Sequence, residues 1–122
     1  MPKKRKILII EDEKSLARAL EFKLKHSGFE AVAVFNGEEG IKLLLQKHFS
    51  LILLDLIMPK MDGYAVLEAI RAHKIKTPVM ILSNLSQESD LTRAKELGAT
   101  GFFIKSNTSI ATIVDRVVHI LK

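Results

Sequence analysis

Short apolar runs alternate along the chain with longer segments in which apolar residues recur at helical spacing. The runs cover residues 7–10, 30–35, 51–54, 78–82 and 101–104. Three of them, the first, third and fourth, are nearly uninterrupted, which is typical of strands buried on both faces of a parallel sheet. The pattern therefore predicts five β-strands.

The segments between these runs predict five amphipathic helices. Residues 14–26 carry leucine and alanine at intervals of three and four, with Lys and Glu between them, and Gly28 follows as a stop signal. Asn36 is a typical cap for the second helix, Gly98 ends the fourth, and residues 109–121 form the last. Each predicted strand is thus followed by a helix.

Five βα units predict an α/β fold with a doubly wound, flavodoxin-like parallel sheet in the strand order 2-1-3-4-5. A closed eight-stranded barrel would need about twice this chain length. No linker or low-complexity stretch interrupts residues 1–122, so we expect one domain over the whole chain.

Composition narrows the class of protein. Of the 122 residues, 48% are hydrophobic and 27% are charged, which is typical of a folded globular chain. The absence of cysteine excludes a disulfide scaffold, a thiolate metal site and a cysteine nucleophile. The apolar runs are shorter than the roughly 20 residues of a membrane span, and no signal peptide is evident. We therefore expect a cytoplasmic protein without a membrane contact.

The net charge of +5 is largely a feature of the amino terminus. Four cationic residues stand together at Lys3, Lys4, Arg5 and Lys6. This run resembles a nuclear-localisation signal, but such short basic runs occur often by chance, and a solvated cluster before a strand is the preferred interpretation. A basic face interleaved with aromatic residues is not evident, so direct nucleic-acid binding is not expected.

Polar residues follow the predicted strands at the edge where open parallel sheets bind ligands. Glu11 and Asp12 follow the first strand, Asp55 the third, Ser83 the fourth and Lys105 the fifth. In the predicted order these four strands are consecutive neighbours. Their ends should therefore bring carboxylates, a hydroxyl and an ammonium around one pocket.

This set of groups points to phosphoryl chemistry. Three close carboxylates repel one another unless a cation lies between them, and oxygen ligands alone favour a hard ion such as Mg²⁺. A carboxylate in such a site can attack phosphorus, while Lys105 and Ser83 offer donors to the phosphoryl oxygens. Taken one at a time, these residues have simpler explanations. Glu11 and Asp12 can stabilise a helix start, Asp55 and Ser83 are common turn residues, and Lys105 can be an edge lysine that extends to solvent. Their coincidence at one edge favours the phosphoryl site.

Together these residues resemble the receiver domain of two-component response regulators, over essentially the whole chain. The matching segments are residues 7–13, 51–63, 78–83 and 98–105. The resemblance implies that Asp55 is the phosphoacceptor. It also implies that Glu11, Asp12, Asp55 and the backbone carbonyl of Ile57 hold Mg²⁺, for which Mn²⁺ can substitute, with Asp12 as the more direct ligand of the acidic pair.

The same resemblance implies a switch and a partner. Ser83 corresponds to the hydroxyl that moves towards the phosphoryl group, Lys105 to its ion partner, and Phe102 to the rotating aromatic residue. The phosphoryl donor would be a sensor histidine kinase or a histidine phosphotransfer protein, and the downstream target is left open. Such a domain is a signalling phosphoacceptor rather than an enzyme, either monomeric or dimeric upon phosphorylation.

Several positions depart from the family pattern. Glu11 stands where an aspartate is common, Asn84 replaces a small residue, and Ser106 replaces a proline, which favours a trans bond after Lys105. Ile57 and Leu85 flank the site and cannot orient a water molecule. We therefore expect slow self-dephosphorylation.

Three other functions compete with this interpretation. A flavin or nucleotide binder would need a Gly- or Ser/Thr-rich first loop, but this loop contains Glu11, Asp12 and Glu13. A phosphohydrolase would need a second acid two residues after Asp55, where Ile57 stands. A phosphate-independent interaction module of the same fold is the remaining alternative.

Overall fold

The computed structural model of the chain describes residues 4–58, 60–84 and 88–121, with the backbone alone for residues 88 and 89. Expectations that concern Lys3, Pro59 and Leu85 lie outside the described residues.

Five strands and five α-helices alternate along the described chain. The strands are β1 (Lys6–Ile10), β2 (Glu30–Val34), β3 (Leu51–Asp55), β4 (Val79–Ser83) and β5 (Gly101–Ile104). The helices are α1 (Lys14–His26), α2 (Gly37–Gln46), α3 (Gly63–Ala72), α4 (Glu88–Glu96) and α5 (Ile110–Leu121). All ten elements were predicted, and no strand end differs from its predicted position by more than one residue.

The strands form one parallel sheet in the order β2-β1-β3-β4-β5, which confirms the flavodoxin-like topology. β3 lies at its centre, where Ile9 pairs with Leu53 of β3 and Leu53 pairs with Met80 of β4. All five residues of β3 are buried. This explains the uninterrupted apolar run, since a central strand covered by helices on both faces has no solvent-facing position.

Two hydrophobic layers enclose the sheet because successive side chains of a strand point to opposite faces. Ile10, Ile52 and Leu54 pack with the residues of α2 and α3 on one face. Ile9 and Leu53 pack with the residues of α1 and α5 on the other. No helix within the described residues is long and apolar enough to cross a bilayer.

Side-chain caps fix where the two helices that flank β3 begin. The Asn36 side chain accepts a hydrogen bond from the backbone N–H of Glu39 at 2.9 Å, and Asp62 accepts one from the N–H of Ala65 at 2.9 Å. Both satisfy a backbone donor that a first helical turn leaves open. The Asp62 cap sets the point at which the chain returns to the sheet after β3.

Candidate functional site

Acidic side chains from two neighbouring strands meet at the carboxyl edge of the sheet. Glu11 and Asp12 directly follow β1, and Asp55 is the last residue of β3. Each offers one carboxylate oxygen, and these oxygens lie within 4.8 Å of one another. Glu11 is completely buried and Asp55 is 3% exposed. The sheet thus brings three carboxylates together, two of them in a place that water barely reaches.

Lys105 projects into this cluster from the end of β5. Its Nζ lies 2.6 Å from Glu11 Oε1 and 3.4 Å from Asp55 Oδ2. Its side chain is 15% exposed, so both ion pairs are largely screened from water. Burial lowers the pKa of Lys105, but the contacts with Glu11 and Asp55 outweigh it and raise that pKa. The ammonium is therefore held in its charged form.

The two oxygens of Glu11 are held differently. Oε2 accepts a hydrogen bond from the backbone N–H of Glu13 at 3.0 Å. Oε1 is paired with the Lys105 ammonium at 2.6 Å. These two contacts replace the hydration that the fully buried carboxylate of Glu11 has lost.

This oxygen set fits a hard divalent cation. The cluster offers three carboxylates, which are the ligands that Mg²⁺ prefers, and the Lys105 ammonium offsets only part of their negative charge. Asp12 is partly exposed, so one side of the cluster opens to solvent.

Asp55 differs electrostatically from an ordinary aspartate. Burial and the negative charge of Glu11 raise its pKa from 3.8 to about 7, although the Lys105 charge and the Ile57 N–H counteract them. The N–H of Ile57 donates to Asp55 Oδ1 at 3.3 Å. Without a cation, the carboxyl group therefore takes up a proton at a pH where an exposed aspartate is ionised.

Ser83 and Phe102, the two predicted switch residues, lie on neighbouring strands. Ser83 is 2% exposed and directly follows Leu82, the register partner of Asp55. Phe102 is 48% exposed and lines a small cavity of about 80 Å³ between β5 and α4. The Phe102 ring is thus turned outwards, next to a partly filled space.

The peptide bond between Lys105 and Ser106 is trans, which agrees with the prediction made from the serine at position 106.

Gly63 contributes to the site in a way that the sequence did not reveal. It is the first residue of α3, and its backbone N–H donates to the carbonyl of Leu56 at 2.8 Å. A Cβ at this position would overlap the carbonyl oxygen of Asp55 and lie 2.5 Å from Leu56 Cα. Only glycine lets the helix approach the end of β3 this closely. Its presence at the start of a helix, although glycine is a poor helix former, was the available signal.

Replacing Asp55 by asparagine is expected to stabilise the protein at high pH. The raised pKa means that folded Asp55 holds its proton more tightly than unfolded Asp55. Its stabilising contribution is complete below pH 4 and is lost as the pH rises through about 7. Asparagine stays neutral, so Asp55→Asn should exceed the wild type by ~2 kcal/mol at pH 8 and by little at pH 4.

Urea unfolding at pH 4, 6 and 8 in the presence of a chelator measures this effect. Asp115→Asn, which removes an exposed carboxylate from α5, is the matched control and should follow the wild type. A constant difference between Asp55→Asn and the wild type at all three pH values would contradict the prediction.

Comparisons with known proteins agree with this geometry. The family model described as "Response regulator receiver domain" matches residues 7–117. The receiver domain of the Francisella response regulator 1452 superposes with a TM-score of 0.88, at 28% identity and with 95% of each chain covered.

Two curated proteins show higher identity over part of their length. The probable transcriptional regulator ycf27 of Porphyridium aerugineum is 39% identical over 102 residues, which are 84% of this chain and 42% of that protein. The cell cycle response regulator CtrA of Brucella ovis is 39% identical over 100 residues, which are 82% of this chain and 43% of that protein. The chain thus spans less than half the length of these relatives. With the family match over residues 7–117, it belongs to the response regulator receiver domains of two-component signalling systems.

Proposed function

We propose that this receiver domain accepts a phosphoryl group on Asp55 in a Mg²⁺-dependent reaction. The donor is a phosphohistidine on a sensor histidine kinase or a phosphotransfer protein. One observation carries the proposal. Asp55 lies within a cluster of three carboxylates whose oxygens are at most 4.8 Å apart, with the Lys105 ammonium 3.4 Å from its Oδ2.

The transfer exchanges one bond to phosphorus for another. A carboxylate oxygen of Asp55 forms a P–O bond, the P–N bond of the phosphohistidine breaks, and its electron pair returns to the imidazole. The side chains of Glu11, Asp12 and Asp55 and the carbonyl of Ile57 would hold the cation. Mg²⁺, or Mn²⁺ in its place, supplies the positive charge that keeps these carboxylates ionised and offsets the charge of the phosphoryl oxygens.

Lys105 and Ser83 then act as donors to the phosphoryl group. The Lys105 ammonium is already paired with Asp55, so it can pair with a phosphoryl oxygen once Asp55 has become an acyl phosphate. Ser83 ends the strand beside Asp55, and its hydroxyl is the nearest switch candidate on β4. Phosphorylation adds charge beside both residues and so favours the conformer that brings them inwards.

Phe102 couples this change to the face formed by α4, β5 and α5. Its ring is 48% exposed beside a cavity of about 80 Å³, whereas an aromatic ring needs a cavity of about 150 Å³. Inward rotation of Phe102 therefore requires α4 to shift. Phosphorylation thus changes the population of two arrangements of this face, which a target can recognise.

A small phosphodonor tests the proposal directly. The wild-type chain incubated with acetyl phosphate and Mg²⁺ should gain the mass of one phosphoryl group in intact mass spectrometry. Asp55→Asn and addition of a chelator should each abolish the gain, and Asp115→Asn should retain it. No gain with acetyl phosphate, phosphoramidate or a phosphorylated kinase would refute the proposal and favour a phosphate-independent interaction module.

The side chain of Ile57 should prolong the life of the phosphorylated state. It stands two residues from Asp55 and is 61% exposed, so it can cover the phosphoryl group but cannot orient water. Ile57→Ala is expected to shorten the half-life roughly three- to tenfold, since water then reaches the phosphorus more easily. The half-life is followed by intact mass after removal of the donor.

Leu45→Ala is the matched control for Ile57→Ala. It removes a similarly exposed apolar side chain, 56% accessible, from α2 rather than from the loop after β3. Steric shielding by Ile57 is excluded if the two variants hydrolyse at the wild-type rate.

A further inference from the structure

A groove with a basic rim lies at the amino edge of the sheet, opposite the carboxylate cluster. Its volume is about 770 Å³, within the usual range of ligand-binding sites. Segments that precede β1, β3 and β4 line it, together with the end of α5. The cationic or titratable residues of its rim are Arg5, Lys47, His48, Lys74 and Lys76. We call this feature the basic groove.

No acidic group of the described residues neutralises the charge of the basic groove. No aspartate or glutamate occurs among the described residues that line it. None of its Lys and Arg residues forms an ion pair with a residue of 4–58, 60–84 or 88–121. A neighbouring concavity of about 400 Å³ shares Arg5, Lys47 and His48 and adds Lys4 and Lys6. The positive surface is therefore continuous. Within the part of the chain that the structure describes, Lys6 is its one cation with an acidic partner, Glu30 at 3.8 Å.

The backbone at Lys74 provides a second, independent observation. Helices α1, α3 and α4 end in the same way, with two backbone N–H groups bonded back into the last helical turn. The left-handed residue of this motif is Gly28 after α1 (φ 96°) and Gly98 after α4 (φ 106°). After α3 it is Lys74, with φ 60°. Lysine is strained there, and glycine would be the favoured residue. A lysine thus occupies a position at which glycine would give the more stable backbone conformation.

The floor of the basic groove is apolar, which limits what can bind there. Leu45, which is 56% exposed, and the half-buried Ile75 and Pro78 contribute to it. Phe49 of the lining is 1% exposed and cannot stack on a nucleic-acid base, which leaves the His48 ring as the exposed aromatic group among the described residues of the groove. The surface is also concave, so a flat bilayer would not fill it.

We propose that the basic groove binds an acidic peptide segment of a partner protein. Asp and Glu side chains of the peptide pair with the rim, and its interspersed leucine-like side chains cover the floor. Charge complementarity favours an acidic partner, because the cations of the rim surround an apolar strip and form no ion pair with a described residue. The groove lies at the opposite edge of the sheet from Asp55, so this interaction is separate from phosphoryl transfer.

Fluorescence anisotropy with a defined probe tests the proposal. The probe is a fluorescein-labelled peptide of the repeat Glu-Glu-Leu, and the same peptide with Gln for Glu is the charge control. The full chain should bind the acidic peptide with a dissociation constant of about 10–100 μM, and about tenfold more weakly when the salt is raised from 50 to 300 mM. The Gln peptide should not bind measurably.

The variant Lys74→Gly distinguishes an effect on peptide binding from an effect on stability. It should weaken peptide binding about threefold, while the urea midpoint stays unchanged or rises because the strained residue is gone. Lys60→Gly is the matched control. Lys60 also has a positive φ, 69°, and the same charge, but it lies in the loop after β3 at the other edge of the sheet. Its replacement should leave peptide binding unchanged.

Three outcomes would overturn the proposal. They are absence of peptide binding, equal losses in Lys74→Gly and Lys60→Gly, and tighter binding of a twelve-nucleotide single-stranded DNA or of phosphatidylserine vesicles than of the acidic peptide. The last would assign the basic groove to nucleic acid or to membrane instead.

Discussion

Replacing Lys105 by methionine is expected to lower the free energy of unfolding by roughly 3–4 kcal/mol in a divalent-free buffer at pH 8. Glu11 is completely buried, and the Lys105 Nζ at 2.6 Å is the cation beside its Oε1. Methionine preserves most of the side-chain volume but leaves two buried carboxylates without a counter-charge. Breaking a buried ion pair from one side is more costly than removing both partners, because the remaining charge stays desolvated.

Two comparisons isolate this effect in chemical denaturation. Lys6→Met removes a cation whose pair with Glu30 is exposed and 3.8 Å long, and it should change stability by less than about 1 kcal/mol. The double variant Glu11→Gln/Lys105→Met should recover much of the loss, since it also removes the buried negative charge. Mg²⁺ should stabilise Lys105→Met more than the wild type. An equally unstable double variant would mean that packing, and not charge, explains the loss.

Gly63→Ala is expected to cost about 3 kcal/mol of stability and to weaken phosphorylation of Asp55 as well. The added Cβ meets the backbone of Asp55 and Leu56, which a side-chain rotation cannot relieve. Either α3 moves away from β3, or the end of β3 shifts and carries the Asp55 carboxylate with it. Both changes disturb the position of Asp55 relative to Glu11 and Lys105.

Gly101→Ala is the control for this overlap. A Cβ at position 101 meets only the flexible end of the Met80 side chain, at 3.0–3.1 Å, which can turn aside. Its cost should stay below about 1 kcal/mol, with phosphorylation unchanged. Similar losses in the two variants, measured by urea unfolding and by phosphorylation with acetyl phosphate, would contradict the argument.

Much of the fold was predictable from the local pattern of apolar residues and helix-end residues along the chain. The uninterrupted apolar run of β3 requires burial on both faces, and Asn36 and Gly98 mark helix ends through local hydrogen bonds and backbone conformation. The strand order was predicted because five βα units with right-handed crossovers suit a doubly wound, flavodoxin-like sheet. Because these signals act over a few residues, a single sequence carries them.

Side-chain geometry within the site was less accessible. The order of the strands placed Glu11, Asp55 and Lys105 at one edge, but the sequence did not reveal that Lys105 lies closer to Glu11 than to Asp55. Nor did it reveal the close approach of Gly63 to the end of β3. Both depend on how strands from different parts of the chain are packed, and no local signal reports such distances.

By itself the sequence determined the alternation of strands and helices, the sheet order and the identity of the polar groups at each strand end. Only the tertiary structure decided that the pKa of Asp55 rises to about 7, and that Arg5, Lys47 and Lys74 surround one groove. Along the chain the excess of positive charge is concentrated at the amino terminus, whereas the parallel sheet gathers cations from three separate segments at one edge. The strength of an electrostatic interaction depends on distance and burial in space, which the linear order of residues does not contain.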